Sequence, residues 1–249
     1  MIMTRMSISI KNLKDIVDML GTVVTEAKFK IGISGVSVNA VDPAHVAMVS
    51  LEVPKTVFSE YDVPADEEIS VDLEKIRSVI KLASSADTVI ITKDKDKLKF
   101  EIGTIIKSIS LIDNDQITNP RVPQIASDDY VVLTKADFEK GLRAAEDVSD
   151  AIRLTLDKNN FYAKSTSDAD ESEMILPKDM VKELVCNEPI KSSYPLEYLL
   201  KLVKSISSNE DIKISFKSDY PLTIEFNLGS GNENARIKGR FLLAPRMES

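Results

Sequence analysis

The feature that most restricts how this chain can fold is an internal repeat. Leu73-Glu74-Lys75-Ile76-Arg77-Ser78-Val79-Ile80-Lys81 recurs as Leu196-Glu197-Tyr198-Leu199-Leu200-Lys201-Leu202-Val203-Lys204, at a constant offset of 123. The register holds downstream, where Ser84-Ser85 falls on Ser207-Ser208, and Val89 and Ile91 fall on Ile212 and Ile214. Amphipathic helices resemble one another by chance, but here the order of strands and helices around the two copies also agrees, which points to a duplicated domain. Between the copies lies Asp113 to Asp129, DNDQITNPRVPQIASDD, with Pro120, Pro123 and no periodic apolar face. Such a segment runs extended over a surface and reads as a linker. Its central apolar side chains, Val122 and Ile125, imply that one flank rests on something apolar. The expected domains are therefore residues 1–112 and 130–249, joined by 113–129.

Periodicity supplies the elements on each side. Ser7 to Ile10 alternates as a strand, and Lys11 to Val24 places Leu13, Ile16, Val17, Leu20 and Val24 at helical spacing. Phe29 to Ile33, Gly35 to Val41 and His45 to Val53 alternate between turn signals at Ser34-Gly35 and Asp42-Pro43. A second round follows: a strand at Ile69 to Val71, a helix from Leu73, and strands at Thr88 to Thr92, Lys97 to Ile102 and Ile105 to Ile112. Beyond the linker the order restarts with a strand at Tyr130 to Leu133 and a helix from Lys135 to Val148 that turns Phe138, Leu142 and Ala145 inward. Strands follow at Ile152 to Leu156, Asn160 to Ser165 and Glu173 to Leu176, before the repeated helix at Leu196. Each half thus reads as two βαβββ units, an α+β fold with four helices on one side of antiparallel sheets.

Composition narrows the function. The 249 residues can bury two cores, and 43% hydrophobic with 29% charged content is ordinary for a soluble protein. No apolar run approaches the roughly 20 residues of a membrane span, and Met1 to Met6 passes straight into a strand pattern, so a cytosolic place is expected, or a nuclear one in a eukaryote. Cys186 is alone, which excludes an intramolecular disulfide and a cysteine-built zinc site. His45, the only histidine, has no acid, serine or cysteine partner in a motif, and no glycine-rich phosphate loop or nucleophile elbow occurs. Paired carboxylates such as Asp128-Asp129, Glu67-Glu68 and Asp170-Glu171 sit in loop-like stretches and read as solvated surface. No catalytic residue, metal or cofactor is expected.

A net charge of −8 argues against nucleic acid until the positions of the cations are considered. Helical projection sets Lys11 and Lys14, Arg77 and Lys81, Lys140 and Arg143, and Lys201 and Lys204 outside the apolar arcs of the helices. Lys81 and Lys204 occupy the same repeat position. Asp15 and Asp18 share these faces and dilute the effect. Four basic helix faces on one side of the sheets would meet phosphates, giving a sequence-blind, salt-sensitive contact with DNA.

At this point the residues resemble a known family, the proliferating cell nuclear antigen sliding clamps, and the archaeal type most closely. The resemblance covers essentially the whole chain and is carried by four stretches. They are Val41-Asp42-Pro43-Ala44-His45-Val46-Ala47-Met48-Val49, Leu111-Ile112-Asp113, Ser218-Asp219-Tyr220-Pro221-Leu222-Thr223-Ile224-Glu225-Phe226 and Phe241-Leu242-Leu243-Ala244-Pro245-Arg246. The resemblance implies the DNA clamp fold, with sheets outside and helices inside a ring of three subunits that encircles duplex DNA and tethers replication and repair enzymes. It makes Asp113 to Asp129 the interdomain connecting loop, one wall of a groove that receives PIP-box peptides of DNA polymerase, flap nuclease and ligase. Carried over by position, the groove involves Val41, His45, Val46, Val122, Ile125, Pro221, Leu242, Leu243, Ala244, Pro245 and Met247. An aromatic seen in many relatives at the position of Leu242 is missing here.

The same resemblance implies a clamp loader as partner and assigns the subunit contact to Ile105 to Ile112 and Glu173 to Lys178. Lys107 would face a partner region containing Glu171 and Glu173, and Leu111 would meet Met174, Ile175 and Leu176, with Ile109 on the first edge and Ile80 and Leu142 adding apolar packing. The nearest alternative is a checkpoint-type clamp subunit active only in a heterotrimer. A hydrolase using surface carboxylates is the distant one.

Overall fold

The computed structural model describes residues 3–123, 125, 127–207, 210–229 and 235–246. Contacts between Cα atoms divide the chain into two units. The first is residues 1–43, 49–122 and 228–239, and the second is 44–48, 123–227 and 240–249.

The first unit begins with β1 (Arg5–Ser9) and α1 (Ile10–Leu20), then β2 (Glu26–Gly32), β3 (Gly35–Val41) and β4 (Ala47–Pro54). A short β5 (Glu60–Asp62) precedes β6 (Glu67–Asp72), α2 (Leu73–Ile80), β7 (Thr88–Asp94), β8 (Lys97–Ile102) and β9 (Ile105–Ser110). One sheet has the order β5-β1-β7-β8-β9, and β4, β3, β2 and β6 follow one another in a second. The second unit repeats the plan with β10 (Tyr130–Thr134), α3 (Lys135–Ala144), β11 (Ala151–Leu156), β12 (Asn160–Thr166) and β13 (Glu171–Pro177). Next come β14 (Glu183–Val185), β15 (Ile190–Pro195), α4 (Leu196–Ser205), β16 (Asp211–Ser215), β17 (Leu222–Leu228) and β18 (Ile237–Leu243). Here β13-β12-β11-β15 forms one sheet, and β14, β10, β16 and β17 are successive in another. The pairings described in register are antiparallel, as in β1 with β7 and β10 with β16.

Local chemistry explains where the helices start. Ser9 accepts from the Asn12 N–H at 3.2 Å, Asp72 from the Glu74 N–H at 2.8 Å, and Thr134 from the Asp137 N–H at 3.1 Å. Each is the last residue of a strand, so one side chain ends the ladder and satisfies an orphan donor of the helix. α4 instead follows Pro195, whose fixed φ suits a helix entry. The helices are shorter than their apolar periodicity suggests. α1 ends at Leu20 where Val24 was expected, and α3 at Ala144 where Val148 was expected. In both cases the residues beyond the end wind down through single turn bonds, Thr22 to Met19 and Val148 to Ala145.

The cores are apolar and closed. Val17, Leu20, Val49, Leu51, Val71, Val79 and Val89 have no exposed surface in the first unit, nor have Phe138, Leu142, Leu154, Phe161, Leu199 and Leu202 in the second. Burial of such side chains contributes about 1.5–3 kcal/mol each. At the β2–β3 turn Gly35 has φ 147, and a Cβ there would lie 2.3 Å from the Val53 carbonyl, so only glycine fits.

Two expectations are corrected. The strand expected from His45 begins at Ala47, because His45 takes a left-handed conformation (φ 56) that reverses the chain after Pro43. The linker does not start extended. Asp113 caps a 3₁₀ turn at Asn114–Gln116, and Asn114 bonds to Ser70 and to the Glu68 carbonyl, both at 2.8 Å. Further on, Asn39 donates to the Pro120 carbonyl at 3.3 Å. Periodicity did not place β5, β14 or β15, nor the three strands after α4, which are β16, β17 and β18. β5 and β14 are three residues each, too short to show a period, yet Glu60 and Glu183 stand at the same offset of 123 as the helices.

Candidate functional site

The eight helix cations expected to face DNA fall into two classes. Arg77 is half-buried, with Nη1 2.5 Å from Glu74, Nε 3.6 Å from Asp18 and Nη2 3.5 Å from the Val17 carbonyl. It therefore joins α2 to the last turn of α1, where a cation also meets unsatisfied carbonyls. Gly21 makes this possible, since a Cβ there would sit 2.1 Å from Arg77 Nη2. Lys14 pairs with Asp18, Arg143 with Glu139 at 2.6 Å, and Lys201 with Glu197 at 2.5 Å, each one helical turn away. Lys11, Lys81, Lys140 and Lys204, one from each helix or its C-cap, are exposed and carry no ion pair among the described residues. These four project the strongest field, because a paired charge is already partly neutralised. Glu139 serves two cations, and the Lys135 ammonium, then Arg143, hold its carboxyl below the usual range against the pull of burial.

The expected contact edges are both outermost strands. β9 ends the sheet of the first unit and β13 the four-stranded sheet of the second. On β9, Ile106 is 62% exposed, and on β13, Ile175 is 50% exposed beside exposed Glu171 and Glu173. The opposite face of each strand meets its own helix. Lys107 Nζ donates to Ser78 of α2 at 2.8 Å, and Met174 lies so close to Gly141 of α3 that a Cβ there would be 2.4 Å from its sulfur. Leu111 is half-buried, and Ile80, Ile109 and Leu176 are buried in the isolated chain. Leu142, expected to pack beside the edge, is wholly enclosed in its own core, because its helix turns it inward with Phe138. Gly141 was the legible sign of a close approach, being a glycine inside a helical pattern.

Of the expected groove residues, His45, Val46, Ile125, Pro221, Ala244 and Pro245 belong to the second unit. His45 is exposed and the other five are half-buried. The Ala244 N–H donates to the Val46 carbonyl at 2.8 Å, which sets the C-terminal tail beside the His45 turn. Leu243 is fully buried and Leu242 nearly so, because β18 carries both into the core before the tail emerges. Leu243 thus supports this surface from beneath. Val41 and Val122 are half-buried residues of the first unit, and Met247 lies outside the described residues.

Nothing in these positions resembles catalytic chemistry. Among the described residues no group of three or more His, Cys, Asp and Glu is placed to hold a metal, and no helix is long and apolar enough to cross a membrane. Burial, then the carboxylates of Asp129 and Asp157, push the Cys186 thiol up, the opposite of what a thiolate nucleophile needs.

Two βαβββ pairs, helices that expose lysines and open sheet edges together define a clamp-type fold. Residues 2–115 match the family described as proliferating cell nuclear antigen, N-terminal domain, and residues 121–245 match its C-terminal domain. The chain is 73% identical over 247 residues to the DNA polymerase sliding clamp of Picrophilus torridus, covering 99% of this chain and 100% of that one. It is 58% identical over 246 residues to the DNA polymerase sliding clamp of Thermoplasma volcanium, with 99% and 100% covered. Among solved structures, the PCNA of A. fulgidus bound to the C-terminal region of FEN-1 superposes with a TM-score of 0.92 at 28% identity, covering 99% of this chain and 100% of the other. The chain belongs to the proliferating cell nuclear antigen family, and its function is that of a DNA polymerase sliding clamp.

Proposed function

We propose that three copies of this chain close head to tail into a ring around duplex DNA, β9 of one copy pairing with β13 of the next. The observation that carries this reading is that each unit leaves one long strand edge unpaired, with an exposed isoleucine on it. An open edge recruits another strand, and head-to-tail pairing of unlike edges closes when the rotation permits. Ile106 and Ile175 supply apolar contact, and Glu171 and Glu173 supply charge for Lys107 and its neighbours. Lys11, Lys81, Lys140 and Lys204 would line the hole and meet phosphates. With so few free cations on a chain of net charge −8, the contact is weak, which suits an element that must slide.

The ring holds DNA by topology and performs no catalysis, so it raises the local concentration of whatever enzyme it tethers. His45, Val46, Ile125, Pro221, Ala244 and Pro245 would receive a PIP-box peptide of a polymerase, flap nuclease or ligase. The A. fulgidus relative bound to a FEN-1 segment supports this kind of partner. In this reading 1–112 and 130–249 are the two clamp domains, 113–129 is the connecting loop, and the protein works in the cytoplasm. The decisive experiment loads the protein onto nicked circular DNA with a clamp loader and ATP, then linearises the circle. A ring falls off the ends; a chain that stayed on linear DNA would exclude a topological hold.

A further inference from the structure

We propose that β15, through its outer edge and its buried Tyr194, is the positioning element of the partner groove, holding the C-terminal tail and the turn before Pro221 in register with each other. The inference rests on the groove assignment above. β15 pairs with β11 along one side and is the last strand of its sheet. Its other side is occupied at two points, where the Ser193 carbonyl accepts from the Arg246 N–H at 2.7 Å and the Lys191 N–H donates to Ser218 Oγ at 3.3 Å. From its buried face the Tyr194 hydroxyl donates to the Tyr220 carbonyl at 2.8 Å.

Each anchored segment presents a proline of the groove. Pro245 has no N–H of its own, and it lies between two residues that do bond: Ala244 to the Val46 carbonyl and Arg246 to the Ser193 carbonyl. Arg246 is held a second time by its side chain, with Nη1 2.6 Å from Asp150 Oδ1. That ion pair keeps the Asp150 carboxyl below its ordinary range. Pro221 follows a turn in which Asp219 is left-handed (φ 54), a conformation that aspartate adopts more readily than most residues. Tyr194 holds the far end of that turn. Its ring is fully buried and packs edge-on against Phe216 at 6.3 Å, so the hydroxyl has one direction to point. A phenylalanine would fill the same core space. What the tyrosine adds is one hydrogen bond from the interior to the carbonyl preceding Pro221.

β15 therefore couples the two prolines. A peptide seated between them meets a preformed surface and does not have to order the tail itself, which lowers the entropic cost of binding. Asp150 and Tyr194 act through the tail and the turn and are positioning residues, not contact residues.

The test uses the full-length chain and a fluorescein-labelled synthetic peptide copying the C-terminus of an archaeal flap nuclease. Anisotropy gives affinity and dissociation rate, and thermal unfolding and mass are followed in parallel. Tyr194→Phe weakens peptide binding roughly three- to tenfold, through faster dissociation. Asp150→Arg and Arg246→Asp each weaken it roughly two- to fivefold with the unfolding temperature unchanged, and the double exchange restores it. Single exchanges that bind as the wild type does overturn the coupling, as does a double exchange no better than the singles. Normal binding by Tyr194→Phe overturns the part assigned to the turn. A wild type that ignores the peptide overturns the groove assignment, and the coupling with it.

Discussion

At the scale of single residues, the structure turns on which charges are already spoken for. Arg77 reads from the sequence as a surface cation, yet its contacts are Glu74 on its own helix and Asp18 and Val17 on α1, up to 60 residues away. No periodicity records a partner at that distance. Gly21 is the residue that admits it, and its φ of −65 is open to any side chain. Gly21→Ala should therefore evict the flexible end of Arg77 without straining the backbone. The expected cost in stability is below about 1 kcal/mol, and the freed guanidinium should strengthen binding to duplex DNA at low salt. Thermal unfolding and a salt titration of DNA binding check both halves. Glu139 offers a pH prediction. Its folded pKa is lowered, chiefly by Lys135, so its contribution to stability is complete above the unfolded glutamate value and disappears as pH falls through the lowered folded value. Side-chain NMR should show Glu139 titrating below an ordinary glutamate, and Glu139→Gln should remove that segment of the acid-unfolding curve.

At the scale of elements, the strand edges carry the assembly. Ile109 faces inward and is buried, and its backbone pairs with Leu98 of β8 in the same register that joins the Leu111 N–H to the Asp96 carbonyl, so the outward backbone groups of β9 are those of Ile106, Ser108 and Ser110. Ser108→Pro removes an outward donor from β9, and Glu173→Lys reverses an exposed charge on β13. Both should give monomers by light scattering. A mass of three times 27.6 kDa for both would exclude these edges. The elements themselves were mostly legible. α1, α2, α3 and α4 all appear where a 3.6-residue apolar period placed them, because that period is a local property of amphipathic helices. β5 and β14 were not, since three residues cannot show alternation and their pairing with β1 and β10 is decided by neighbours far along the chain.

At the scale of the whole molecule, the four expected DNA-facing lysines that carry no ion pair among the described residues act on a chain of net charge −8. Replacing Lys11, Lys81, Lys140 and Lys204 together with Gln should leave the assembled mass unchanged. It should shorten the residence of the loaded protein on nicked circles and flatten the salt dependence, by about 0.9 in log–log slope for each phosphate no longer neutralised. An unchanged slope would mean that the paired cations, Lys14, Arg143 and Lys201, bind the phosphates instead.

What the sequence determined by itself was the duplication, the order of strands and helices, the polar face of each helix and the family. All of these are written in local spacing or in short motifs, and an offset of 123 survives whatever the chain does in space. Only the tertiary structure decided that Arg77 is a bridge between helices, that Leu142 and Leu243 are core, that His45 sits in a turn, and that Tyr194 reaches the carbonyl before Pro221. Those outcomes depend on which atoms meet across long stretches of chain, and burial and pairing of that kind leave no periodic trace for the sequence to display.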